Sequence, residues 1–143
     1  MLEFPIDTTR TVIDLALSGA LTRHPNIRFI IPHAGGALPV LADRAHLIGA
    51  YLRPEGTDVV DVLRELGRLY YDLAGSPLPR ALPALLGLVA PDRLLYGSDF
   101  PFTPDFAVEG LAQLLTQTDV LDAVARDAML KGNAIGLFAR LGG

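Results

Sequence analysis

The chain has 143 residues, half of them hydrophobic, with 16 acidic and 12 basic side chains and a net charge of −4. That length holds one domain with a real core, taken here as residues 1–143, and the acidic balance, with Lys131 the single lysine, argues against nucleic acid as a partner. Without cysteine there are no disulfides, thiolate metal ligands or cysteine nucleophiles, and the expected compartment is the cytosol.

Met1 to Pro5 reads as an extended entry, and Asp7-Thr8-Thr9 as the N-cap of a helix from about Thr9 to Leu21. Its apolar face is Val12, Leu15, Leu17, Ala20 and Leu21. His24-Pro25-Asn26 is a loop, because proline pushes the residue before it out of the helical region. Ile27 to Pro32 is the first strand and delivers His33 at its carboxyl end, followed by Gly35-Gly36, which allow close approach. A helix spans about Leu38 to Tyr51, Arg53-Pro54-Glu55-Gly56 breaks it, and Asp58 to Arg68 forms another helical segment. Leu69 to Ala74 is the second strand, favoured by two tyrosines. A leucine-rich helix over Pro79 to Val89 tolerates Pro83 in its first turn. The third strand covers 94–98 and runs into Asp99, with Pro101 unable to extend a ladder. The tail is helical over about Phe106–Gln117, Val120–Met129 and Gly132–Leu141, the last with Asn133 as its N-cap.

Such alternation predicts an α/β fold of parallel strands joined by helical crossovers. Three strands leave two bare edges, which proteins normally cover. The mean hydropathy of +0.36 is high, but no apolar run nears the ~20 residues of a bilayer span. The surplus is read as core or subunit interface, with no membrane partner.

His33 and Asp99 occupy matching places at the carboxyl ends of parallel strands, where α/β folds keep their chemistry. An Asp in such a loop ordinarily caps the next helix, and a lone His ordinarily makes a structural hydrogen bond. The pairing favours a shared metal or proton instead. His24 reads as a surface residue and His46 as part of an amphipathic helix. Asp72 reads as a strand-end hydrogen bond to a neighbouring loop. A catalytic zinc usually has three protein ligands, and this chain does not supply them.

The runs Phe29-Ile30-Ile31-Pro32-His33-Ala34-Gly35-Gly36, Tyr71-Asp72-Leu73-Ala74, Leu95-Tyr96-Gly97-Ser98-Asp99-Phe100-Pro101 and Lys131-Gly132-Asn133-Ala134 together resemble the amidohydrolase-related family. The nearest likeness is its metal-dependent decarboxylase branch. The resemblance implies a (β/α)₈ barrel with zinc or a similar divalent ion at its mouth, of which this chain holds the last three strands and their helices. By the resemblance, Asp99 is a metal ligand. His33 is the acid/base residue beside the metal, or a ligand as in binuclear relatives, and Arg53 meets the carboxylate of a small, possibly aromatic, substrate.

A complete barrel needs roughly 250 residues, and the family's His-x-His or Glu-x-His pair and a further metal His are absent from this chain. The expectation is therefore a part of an enzyme, fragment or half of an assembly, inactive alone. It would associate with the missing barrel half or with itself. The alternatives are a hydrolase of the same superfamily and a non-catalytic, oligomerising half-barrel.

Overall fold

Pro5 does not hold the amino terminus extended: in the computed structural model, which describes residues 2–51 and 59–138, helix α1 (Glu3–Leu17) contains Pro5 in its first turn. The N–H groups of a first turn have no helical partner, so proline's missing donor costs little there. Asp7, Thr8 and Thr9 therefore lie inside the helix and do not cap it. Gly19, at φ +71°, interrupts the expected helix, which resumes as the short α2 (Ala20–Arg23).

Strands β1 (Ile30–Ile31), β2 (Tyr70–Asp72) and β3 (Leu94–Leu95) form a parallel sheet in that order. Ile30 lies opposite Tyr70 and Ile31 opposite Tyr71, while Tyr71 and Asp72 lie opposite Leu94 and Leu95. The ladders are shorter than the strands expected from sequence. After Ile31 the chain meets Pro32, which has no donor, and then a 3₁₀ turn over His33–Gly35.

Helix α3 (Leu38–Tyr51) follows as expected. Helix α4 (Val62–Gly67) starts later than predicted because Asp61 caps it, accepting from the Arg64 N–H at 3.1 Å. Helix α5 (Ala81–Leu86) carries Pro83 in its first turn, and α6 spans Asp105–Gln117. Asp122 caps α7 (Ala123–Asp127), which passes through a π turn (Ala128–Gly132) into α8 (Asn133–Leu137). Asn133 is thus no N-cap. Its Nδ2 donates to the Leu94 carbonyl at 2.8 Å and the Pro91 carbonyl at 2.9 Å, and the Tyr96 N–H donates to the Met129 carbonyl at 3.0 Å. The outer edge of β3, bare on the sequence reading, is occupied by this turn.

Successive strand residues point to opposite faces, so Ile31, Tyr71 and Leu94 share one face and Ile30, Tyr70, Asp72 and Leu95 the other. The first face is the core, where Tyr71 and Leu94 are fully buried with Leu38, Val62, Leu66 and Leu82. The Tyr71 hydroxyl donates to the Leu66 carbonyl at 2.9 Å, and burial pushes its pKa up, so it stays a donor. On the second face Leu95 is buried, while Ile30 is 38% exposed and Tyr70 and Asp72 are half-buried, so this face is the more open of the two, as the inner face of an unclosed barrel would be. No helix among the described residues is long and apolar enough to cross a membrane.

The loop after β1 is tied to α1 through Thr9, whose Oγ1 donates to the Pro5 carbonyl at 2.7 Å and accepts from the Ala37 N–H at 2.9 Å. Gly36 lies under this tie at φ +61°, where a Cβ would sit 2.5 Å from the Pro5 carbonyl oxygen. Gly36→Ala combines an unfavourable φ with overpacking and is expected to destabilise the fold by about 3 kcal/mol. The check is urea unfolding, in which the midpoint should drop by roughly 1–2 M. An unchanged midpoint would show that α1 does not pack there.

Candidate active site

Parallel strands bring their carboxyl ends to one side of the sheet, and each strand here delivers a polar residue to that side. Beyond β1 stands His33, β2 ends in Asp72, and β3 continues through Gly97 and Ser98 to Asp99. His33 Nε2 lies 3.8 Å from Asp99 Oδ2, with the two side chains 38% and 32% exposed. The pair inferred from sequence does converge. The gap is too long for a direct hydrogen bond.

Asp99 does not cap the following helix, since α6 begins at Asp105 with Pro104 before it. Its Oδ2 accepts from the Thr103 hydroxyl at 3.1 Å and its carbonyl from the Thr103 N–H at 2.9 Å. Asp72 makes the strand-end bond expected of it, and the loop it reaches is the one carrying His33. Its Oδ1 accepts from the backbone N–H groups of His33 at 3.0 Å and Ala74 at 3.1 Å. Gly97 makes room for this carboxylate: a Cβ there would stand 3.0 Å from Asp72 Cβ.

Among the described residues, the non-glycine positions with positive φ are His33 (+56°), Ala34 (+53°) and Asp99 (+59°). Such backbone costs about 1–3 kcal/mol per residue and concentrates at functional sites. Both inferred site residues are in this short set.

A cavity of about 390 Å³ opens beside His33, its walls formed mainly by Leu2, Pro5, Ile6, Ala74, Pro77 and Ala81. It is apolar and large enough for a single substituted ring. Sequence reasoning missed this wall and missed Thr103, whose one signal is its place four residues after Asp99 in a loop.

Two donors do not make a metal site, and among the described residues no group of three His, Cys, Asp or Glu could hold a metal. His33 and Asp99 fit a divalent cation only as part of a larger ligand set. His24 is exposed and lies apart from the site. His46 Nδ1 is 3.6 Å from Asp61 Oδ1, at the start of α4, and takes no part in the mouth. Arg53 lies outside the described residues.

A sequence model of amidohydrolases matches residues 3–140. The 6-methylsalicylic acid decarboxylase of Aspergillus aculeatus is 36% identical over 149 residues, covering 99% of this chain and 44% of its own length. A crystal structure of an amidohydrolase II is similar with a TM-score of 0.83 at 37% identity, over 96% of this chain and 42% of the other. A dihydroxybenzoic acid decarboxylase from Polaromonas, solved with bound manganese and 2-nitroresorcinol, gives a TM-score of 0.77 at 22% identity, over 94% of this chain and 40% of the other. That last likeness is one of fold. The chain spans about two-fifths of the length of these relatives.

Proposed function

The chain belongs to the amidohydrolase family and forms part of its barrel, and from that premise we propose that it is the carboxyl-terminal part of a metal-dependent decarboxylase of a small aromatic carboxylate. The observation that carries this reading is the approach of His33 Nε2 to within 3.8 Å of Asp99 Oδ2 at the strand ends, beside an apolar cavity. The 36% identity to a 6-methylsalicylic acid decarboxylase supports the reaction and the substrate class.

Asp99 would hold a divalent cation, zinc or the manganese found in the Polaromonas relative, with further ligands from outside this chain. When bound, that cation supplies positive charge that orients the substrate and stabilises developing negative charge. In this mechanism His33 holds the proton. As the bond between ring and carboxylate breaks, its electron pair stays on the ring carbon, CO₂ leaves, and His33 donates a proton to that carbon. Ile6, Ala74 and Pro77 would line the ring and exclude water. Arg53 enters through the resemblance alone, as a partner for the substrate carboxylate.

The test is to fuse this chain to the amino-terminal part of the Aspergillus aculeatus decarboxylase, in place of that enzyme's matching segment. The fused barrel should release CO₂ from 6-methylsalicylate or a related hydroxybenzoate when given manganese or zinc, and the 143-residue chain alone should not. A folded, metal-loaded fusion that hydrolyses esters or amides and releases no CO₂ would transfer the reading to a hydrolase. One that neither binds metal nor turns anything over points to a non-catalytic module.

A further inference from the structure

Asp72 adds no third donor to the pair of His33 and Asp99, yet its carboxylate is committed at two backbone positions. The bond from the Ala74 N–H, at 3.1 Å, is a local Asx turn that fixes the rotamer of Asp72 itself. The bond from the His33 N–H, at 3.0 Å, crosses to a segment 39 residues away in sequence. It arises where the ladder between β1 and β2 has stopped, because Pro32 offers no donor and the chain then turns. A side chain thus takes the place of the strand partner at the residue that bears the imidazole.

The backbone held in this way is strained. His33 at φ +56° is followed by Ala34 at φ +53°, and two consecutive left-handed residues with side chains persist only where their surroundings over-determine them. The β3 end approaches Asp72 closely at Gly97, where an added Cβ would stand 3.1 Å from Asp72 Cγ. Rotation about φ of His33 would swing Nε2, at the far end of the side chain, away from Asp99. The ends of all three strands therefore meet at one carboxylate, whose hydrogen bonds come from main-chain N–H groups.

We propose that Asp72 is a positioning residue for His33, its carboxylate fixing the left-handed turn that aims the imidazole across the mouth at Asp99. The proposal rests on the reading of His33 as the proton carrier, and its test separates the two. In Asp72→Asn the amide oxygen still accepts both N–H groups, whereas Asp72→Ala removes the acceptor.

In the 143-residue chain, the His33 backbone amide proton should move upfield in Asp72→Ala and stay near its wild-type position in Asp72→Asn. In the fused barrel, Asp72→Ala should lose about 100-fold in kcat, the cost of misplacing a reacting group by about 1 Å. KM should stay within about threefold, as should kcat of Asp72→Asn, because the substrate's own contacts and the acceptor remain. A stability defect alone would lower the melting temperature without this split or the rescue by asparagine. Wild-type kcat in a folded Asp72→Ala, or an unmoved His33 amide, overturns the proposal. If the alanine variant does not fold, the isostere decides, and a large loss of kcat or a displaced His33 amide in Asp72→Asn overturns it. If the wild-type fusion releases no CO₂ while the amide moves in the alanine variant and not in the asparagine one, positioning stands and the decarboxylase reading falls.

Discussion

Asp99→Ala in the fused barrel is expected to lower CO₂ release by at least ~10³-fold and to leave the protein without its cation. A bound cation contributes several kcal/mol of charge stabilisation to such a reaction, and each 1.36 kcal/mol is a factor of ten in rate. Asp99 is the carboxylate that β3 delivers to the mouth, held there by the Thr103 hydroxyl at 3.1 Å. Asp99→Asn keeps an acceptor for Thr103 but has no charge to offer a cation, so it too should lose metal while keeping its melting temperature. Elemental analysis of metal per chain, read beside initial rates, makes the comparison. Stoichiometric metal in the alanine variant would remove Asp99 from the ligand set. The isolated chain should hold none with or without the substitution, because two donors are too few.

The parts of this fold that were legible in the sequence are those set by local chemistry. The apolar run Ile27 to Pro32 marked the first strand, two tyrosines the second, and an apolar run bounded by glycine and proline the third, and their parallel arrangement followed from the helices between them. His33 and Asp99 could be located for the same reason, since each lies in the loop that leaves the carboxyl end of a strand, two and four residues past β1 and β3. What could not be read was set by partners distant in sequence. Asn133 looks like a helix cap, yet it serves carbonyls 42 and 39 residues away at Pro91 and Leu94. Pro5 looks like the end of an extended segment, and becomes a first-turn residue because α1 packs on the Gly36 loop through Thr9. Asp72 was legible as a bond to a neighbouring loop, but only the sheet's register shows that the loop is that of His33. Left-handed backbone at His33 and Asp99 has only a weak local signature, because histidine and aspartate are enriched in that region relative to other side chains but still adopt the α and β regions far more often.

His33→Gln separates the two members of the pair. Glutamine offers hydrogen bonds at a similar reach but cannot carry a proton at neutral pH, so the fused barrel should lose 10²–10⁴-fold in kcat, the range for removing a general acid or base. The turn itself should survive, since Asp72 accepts from the main-chain N–H at position 33 and not from the imidazole. Metal content should therefore match the wild type, the reverse of the Asp99→Ala result. If metal departs along with activity, His33 is a ligand and the proton must come from another group at the mouth. With metal retained and turnover lost, two side chains 3.8 Å apart divide the work, Asp99 holding the charge and His33 moving the proton.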